Sequence, residues 1–250
     1  MNRNIAFLEL KYGNIYGGYP NFYAISEIAL LVFEEGSNKI FLETFINNAD
    51  VDIVNVFSKT NELGHTIGRV KEVFNMKTGR RRDFDEEFKL DEEQLAEEFK
   101  RLRPSKMPIQ NFLKRNLRKY RFRDLVVFDG RRDIFLCERS GGNFSRYNII
   151  DLQKDLNTET NYLFSLNKLA KVIEFEFDHS YLRSNNLEYW LHPIAARQIA
   201  PRSAAYDAAR LMMVHNEVAY HHDDFLIKAQ LLLNKLRPEE EGGGDTTSEE

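Results

Sequence analysis

The apolar positions of the first part of the chain fall into three blocks. Ile5-Ala6-Phe7-Leu8 runs into Glu9-Leu10-Lys11, and a Gly- and Tyr-rich stretch follows over residues 12–20. Residues 24–33 are almost continuously apolar, and residues 39–46 alternate after the turn-forming Glu34-Glu35-Gly36-Ser37-Asn38. Short apolar or alternating runs divided by Gly, Pro and Asn predict an antiparallel three-strand meander. Beyond it, residues 50–57 read as a short mixed segment, 63–74 as a helix and 76–83 as an exposed loop. Pro104 and Pro108 divide the next region into helices over about 91–103 and 108–120. Ile109, Phe112, Leu113 and Leu117 form the apolar stripe of the second helix. Leu125-Val126-Val127-Phe128 predicts a buried strand, 131–138 a helix and 147–152 a fifth strand. Helices are expected over 163–174, over 187–199 with an interruption at Pro193, over 201–220 opening on Pro201, and over 221–236; residues 178–186 read as a loop.

Charge changes this picture in one region. The chain carries a net charge of −4, so any affinity for nucleic acid must come from local patches. Residues 85–98 are acidic and 100–123 basic, a charged helical insertion over about 76–123. The basic half has two readings: a solvated face pairing with the acidic half, or a phosphate-tracking surface made by Lys114, Arg115, Arg118, Lys119, Arg121 and Arg123. Tyr120 and Phe122 would stack bases there, and the Arg80-Arg81-Arg82 loop would add to it. Residues 238–250, rich in Gly, Glu, Ser and Thr, read as a disordered acidic tail after one domain over 1–237. The single cysteine, Cys137, excludes an intrachain disulfide framework. No apolar run reaches the roughly 18–20 residues of a membrane span, and no signal-peptide pattern opens the chain, so a cytoplasmic protein with no membrane partner is expected.

The order of elements, with Ile25-Ser26-Glu27-Ile28-Ala29 in the second strand, Asp133 after the fourth, residues 147–153 as a "Y-x-I-D-L-Q"-like strand, and Tyr206-Asp207-Ala208 in a late helix, resembles the DnaQ-like (DEDD) 3′–5′ exonucleases of the ribonuclease H-like superfamily, nearest the KapD-type branch. The resemblance implies an α/β protein with a ribonuclease H-like mixed five-stranded sheet flanked by helices, the charged helical insertion, and C-terminal helices. It also implies a site in which Glu9, Asp133 and Asp207 act as catalytic metal ligands for Mg²⁺ or Mn²⁺. The chain departs from that pattern. If Glu9 stands in the leading acid's place, Lys11 occupies the second; if Glu9 is the second, Phe7 occupies the first. Arg202 and Ser203 stand where the two subgroups place their general base. The expectation is therefore a degenerate exonuclease-like protein that binds single-stranded nucleic acid, a partner protein, or both, with little or no catalysis. The alternative is an active, divergent metal-dependent 3′–5′ exonuclease on single-stranded DNA or RNA.

Plainer readings stand beside these. Glu9 and Lys11 can be a surface ion pair at a strand end, and Asp133 a first-turn helix acid. His221-His222-Asp223-Asp224 are consecutive, so on a helix they do not converge on one ion. His179 and His192 are the candidates for a displaced base. Glu9-Leu10-Lys11 also spells the E-x-K core of a different metal-dependent nuclease class.

Overall fold

The structure, a computed structural model, describes residues 3–18, 22–61 and 66–236. The expected disordered tail over 238–250 lies outside them. The meander forms as β1 (Asn4–Ile15), β2 (Tyr23–Glu34) and β3 (Lys39–Ile46), antiparallel throughout. Almost every residue of β2 is buried, which is why its sequence runs continuously apolar instead of alternating. Asn38 closes the β2–β3 turn at φ +53°, a conformation that Asn tolerates better than most residues.

The expected five-stranded ribonuclease H-like sheet is not what forms. The main sheet has eight strands in a strongly curled half-barrel, and most of its pairings are antiparallel. Residues read as a mixed segment and a helix are instead β4 (Asp52–Thr60) and β5 (Thr66–Asn75), followed by the short β6 (Arg81–Asp83) within the expected loop. Leu63, Ile67, Val70 and Phe74 do recur at helical spacing. The β-branched residues around Gly68 disfavour a helix, however, and a nine-pair antiparallel register with β4 overrides the period. The charged insertion is helical only from α1 (Glu92–Leu102) onward, since β6 belongs to the sheet.

A single 3-10 turn (Arg103–Ser105) around Pro104 joins α1 to α2 (Lys106–Lys119). Asp91 opens α1 with a reciprocal capping box to Gln94. The chain continues through β7 (Asp124–Val127), α3 (Arg131–Arg139), β8 (Asn148–Asp151), α4 (Leu152–Thr160) and α5 (Leu166–Val172). A three-stranded sheet, β9 (Glu176–Phe177), β10 (Tyr181–Arg183) and β11 (Glu188–Trp190), occupies the stretch expected to be loop and helix. Only α6 (Pro193–Ala196) of that expected helix is helical. α7 (Ala204–Tyr220) and α8 (His222–Leu236) follow. α7 starts three residues beyond Pro201 because Ser203 caps it, accepting from the Tyr206 amide at 3.1 Å.

β1 organises the sheet. Its alternating faces sort two cores: Ile5 and Phe7 pack toward α7, while Ala6, Leu8 and Leu10 pack with Leu113 of α2 and Leu136 of α3. α7 lies against β1 and β2 through Ala204, Ala205, Ala208 and Ala209, small enough for close approach and buried to 2% exposure or less. One edge of β1 pairs with β2 along its length. The other is shared, parallel to β7 at Ile5–Phe7 and antiparallel to β4 at Asn14–Ile15. Among the described residues, β1 between Phe7 and Asn14 has no strand partner on that side, and Asp133 reaches the Leu10 amide there.

Candidate functional site

Glu9 and Lys11 sit on one face of β1 within this gap, the face that carries Phe7 onto α7. At Lys11 the pairing with β2 is bulged: Lys11 opposes Glu27, Tyr12 opposes Ile25, and Ser26 is the extra residue, its hydroxyl donating to the Lys11 carbonyl at 3.0 Å. Such a bulge re-aims the residues beside it. Glu27 accepts from the Ala204 amide at 2.8 Å. A carboxylate at a helix N-terminus is favourable, and this one fixes the start of α7 to β2. One turn into α7 this places Asp207 opposite β1.

The three acids expected to form a site all lie within electrostatic reach of Lys11. Glu9, Asp133 and Asp207 are each more than nine-tenths buried, and each feels the others' charge or that of Lys11. Their environments differ. Burial pushes Glu9 well up from the usual carboxylate range, and the charges of Asp133 and Asp207 add to this. Oε1 of Glu9 is buried with no hydrogen-bond partner among the described residues. Burial also raises Asp133, to about 7, against the lowering effect of the Leu10 amide and Lys11. Asp207 goes the other way. Burial opposes its ionisation, but Lys11 and Arg210 together hold it below its ordinary value. Lys11 Nζ is paired with one carboxylate oxygen and an Arg210 guanidinium nitrogen with the other. Arg210 also donates to Asn167 at the start of α5.

This donor set does not fit a pair of divalent cations. Both Asp207 oxygens are taken by protein cations, Lys11 on one and Arg210 on the other. Among the described residues no group of three or more His, Cys, Asp or Glu side chains could hold a metal ion. A two-ion centre needs ionised, accessible oxygens on several carboxylates.

Beside the acids opens a groove of about 910 Å³. Lys11 lines it from β1, Lys59, Arg69 and Arg81 from the β4–β6 strands, Arg132 from α3, and Arg202 and Arg210 from the start of α7 and its approach. Asp207 is the one acidic residue in that lining. Aromatic rings lie between the cations, several capped by guanidinium groups: Arg132 is 4.7 Å over Tyr23, Arg210 4.9 Å over Tyr206, and Arg202 5.7 Å over Phe57. Arg202, the residue at the expected base position, holds φ +70°, a left-handed conformation uncommon for a non-glycine residue.

The other expected site residues lie elsewhere. Lys114, Arg115, Arg118, Lys119, Arg121 and Arg123 do not line the groove. They precede β7, whereas Asp133 follows its far end. Lys119 pairs with Glu43 at 2.5 Å, with Arg115 4.0 Å from the same carboxylate. His179 sits in the β9–β10 turn against Phe177, and His192 caps α6 through its ring nitrogen; neither lines the groove. His222 pairs with Glu159 at 2.7 Å. Sequence reasoning missed Arg210, Arg132, Lys59 and Arg69. Arg210 was signalled by its i+3 spacing from Asp207. Lys59 and Arg69 were hidden by the mistaken assignment of their strands.

No family model matches the chain, and no curated protein matches it.

Proposed function

We propose that the chain binds single-stranded nucleic acid in this groove and does not cleave it. The observation that carries the reading is the charge of the lining: seven Lys and Arg side chains against one carboxylate, in a chain whose net charge is negative. Lys11 and Arg210 are committed to Asp207, and Arg81 to Glu72 at 2.7 Å. Among the described residues Lys59, Arg69, Arg132 and Arg202 form no ion pair, which leaves them to meet phosphates. Tyr23 and Phe57 offer faces on which bases can stack once the covering guanidinium turns to a phosphate, a sequence-tolerant mode that a duplex with paired, stacked bases cannot use. The absence of turnover follows from the acid cluster. Both Asp207 oxygens are engaged, and Lys11 and Arg210 supply fixed positive charge where the exonuclease resemblance would place cations.

The test is fluorescence anisotropy of labelled single-stranded DNA and RNA against a duplex of the same sequence, across a salt series. Four phosphate contacts correspond to a log K against log salt slope of about −3, at about 0.7 per contact for single strands. Equal affinity for duplex, or affinity insensitive to salt, would overturn the reading.

A further inference from the structure

The basic stretch that stays out of the groove makes a pocket of its own. Lys114 and Arg118, one turn apart on α2, face Arg146 across a pocket of about 340 Å³ whose remaining lining is Leu117, Gly141, Asn143 and Tyr147. It contains three cations and no acid. Among the described residues none of the three cations has an ion-pair partner, while their neighbours Arg115 and Lys119 lie at Glu43. Like charges one helical turn apart oppose one another, so the free protein carries an uncompensated repulsion that an anion would relieve.

The pocket is built, not merely charged. The Tyr147 hydroxyl donates to the Leu117 carbonyl at 2.6 Å, and its ring stacks on buried Phe122 at 4.8 Å. The Arg118 and Arg146 charges both reach that tyrosine. The pocket therefore joins a cationic rim to a fixed aromatic and aliphatic wall. Its volume is at the lower end of the range for small-ligand sites, roughly 300–1,000 Å³. Tyr147 immediately precedes β8 as Arg123 precedes β7, and the two strands are parallel. The pocket thus lies by their N-terminal ends, whereas Arg132 of the groove follows the C-terminal end of β7.

We infer that this second pocket binds a phosphate monoester carrying a compact planar body, of nucleoside-monophosphate size, with Lys114, Arg118 and Arg146 on the phosphate and the body against Tyr147 and Leu117. Two sources present this chemistry: a free mononucleotide and the 5′-phosphorylated end of a strand. The inference is independent of the groove.

The experiment is calorimetric titration of the full chain with AMP, inorganic phosphate and adenosine, and with 5′-phosphorylated and 5′-hydroxyl oligonucleotides. Saturable AMP binding that Arg118→Gln and Arg146→Gln each weaken by tenfold or more, with phosphate and adenosine each at least tenfold weaker than AMP, is the expected result. A 5′-phosphorylated strand that outcompetes AMP, and loses its advantage over the 5′-hydroxyl strand in Arg118→Gln, supports the site and assigns the strand end as its source. AMP binding that survives both substitutions but is lost in Arg202→Gln overturns the inference, because the ligand then occupies the groove. No saturable AMP binding overturns it as well. Both substituted positions are exposed, and their melting temperatures relative to the unsubstituted chain report that folding is retained.

Discussion

Lys11 and Asp207, 196 residues apart in the chain, form an ion pair between β1 and α7. The pair ties the first strand to the most buried helix, and it places an ammonium where the exonuclease resemblance called for an acid. Asp207 has only 12% of its side-chain surface exposed, so removing Lys11 leaves it with Arg210 alone, close enough to Glu9 to feel its charge. Breaking a buried pair by deleting one partner costs about 3–5 kcal/mol. Lys11 is about one-third exposed, so solvent screening brings Lys11→Met below that range, to about 2–3 kcal/mol. Chemical denaturation measures it. In the cycle with Asp207→Asn, which also leaves Arg210 without its carboxylate, the double variant should lose about 1–2 kcal/mol less than the sum of the two single losses. Additive losses would mean that the two side chains are not coupled.

Stability should fall as pH rises through neutrality. The unfolded chain releases the Asp133 proton near the ordinary value of about 4, whereas the folded protein keeps it to about 7. Between these values the folded state binds more protons, so its stability decreases with pH; Glu9, also raised, acts in the same direction. Asp207 is lowered, and its contribution is lost only as pH falls below about 4. Melting temperature should therefore peak near pH 4 and drop by several degrees by pH 8. Asp133→Asn should flatten that drop. A profile that rises between pH 5 and 8 would show that Asp133 is ionised and well solvated.

The strand meander, the buried strand before Asp133 and the helix bearing Asp207 were legible because each rests on local apolar pattern or on residues that the resemblance singles out. The sheet architecture was not. Ile67, Val70 and Phe74 match a helical period as well as a strand, and only the long-range register with Val54 and its neighbours decides between them. That one ambiguity concealed three added strands, the curl of the sheet, and the strands that deliver Lys59, Arg69 and Arg81. Lys11 was seen as a departure. Its partner could not be read from sequence, because the ion pair depends on how α7 crosses β1.

Divalent cations should leave the protein unchanged. With both Asp207 oxygens engaged, addition of Mn²⁺ or Mg²⁺ should shift the melting temperature by less than about 1 °C, since only a ligand bound by the folded state stabilises it. 5′-Labelled single-stranded DNA and RNA should stay intact in Mn²⁺. A 3′-to-5′ ladder that Asp133→Ala and Asp207→Ala abolish would establish an exonuclease in which Lys11 and Arg210 yield to metal.

The groove residues make distinguishable predictions for binding. Arg202→Gln and Lys59→Gln each remove one cation without touching the acid cluster, so each should weaken single-stranded oligonucleotide binding uniformly across sequences and reduce the salt slope by about 0.7. Phe57→Ala leaves the charges in place but removes a stacking face, at a cost of about 1–3 kcal/mol in affinity with the salt slope unchanged. The two kinds of variant separate phosphate tracking from base stacking, because only the first alters the dependence on salt. Arg118→Gln, at the other end of β7, should alter neither the affinity for a 5′-hydroxyl oligonucleotide nor its slope. If it lowers both as much as Arg202→Gln does, the strand path runs along α2 and the groove is not where it binds.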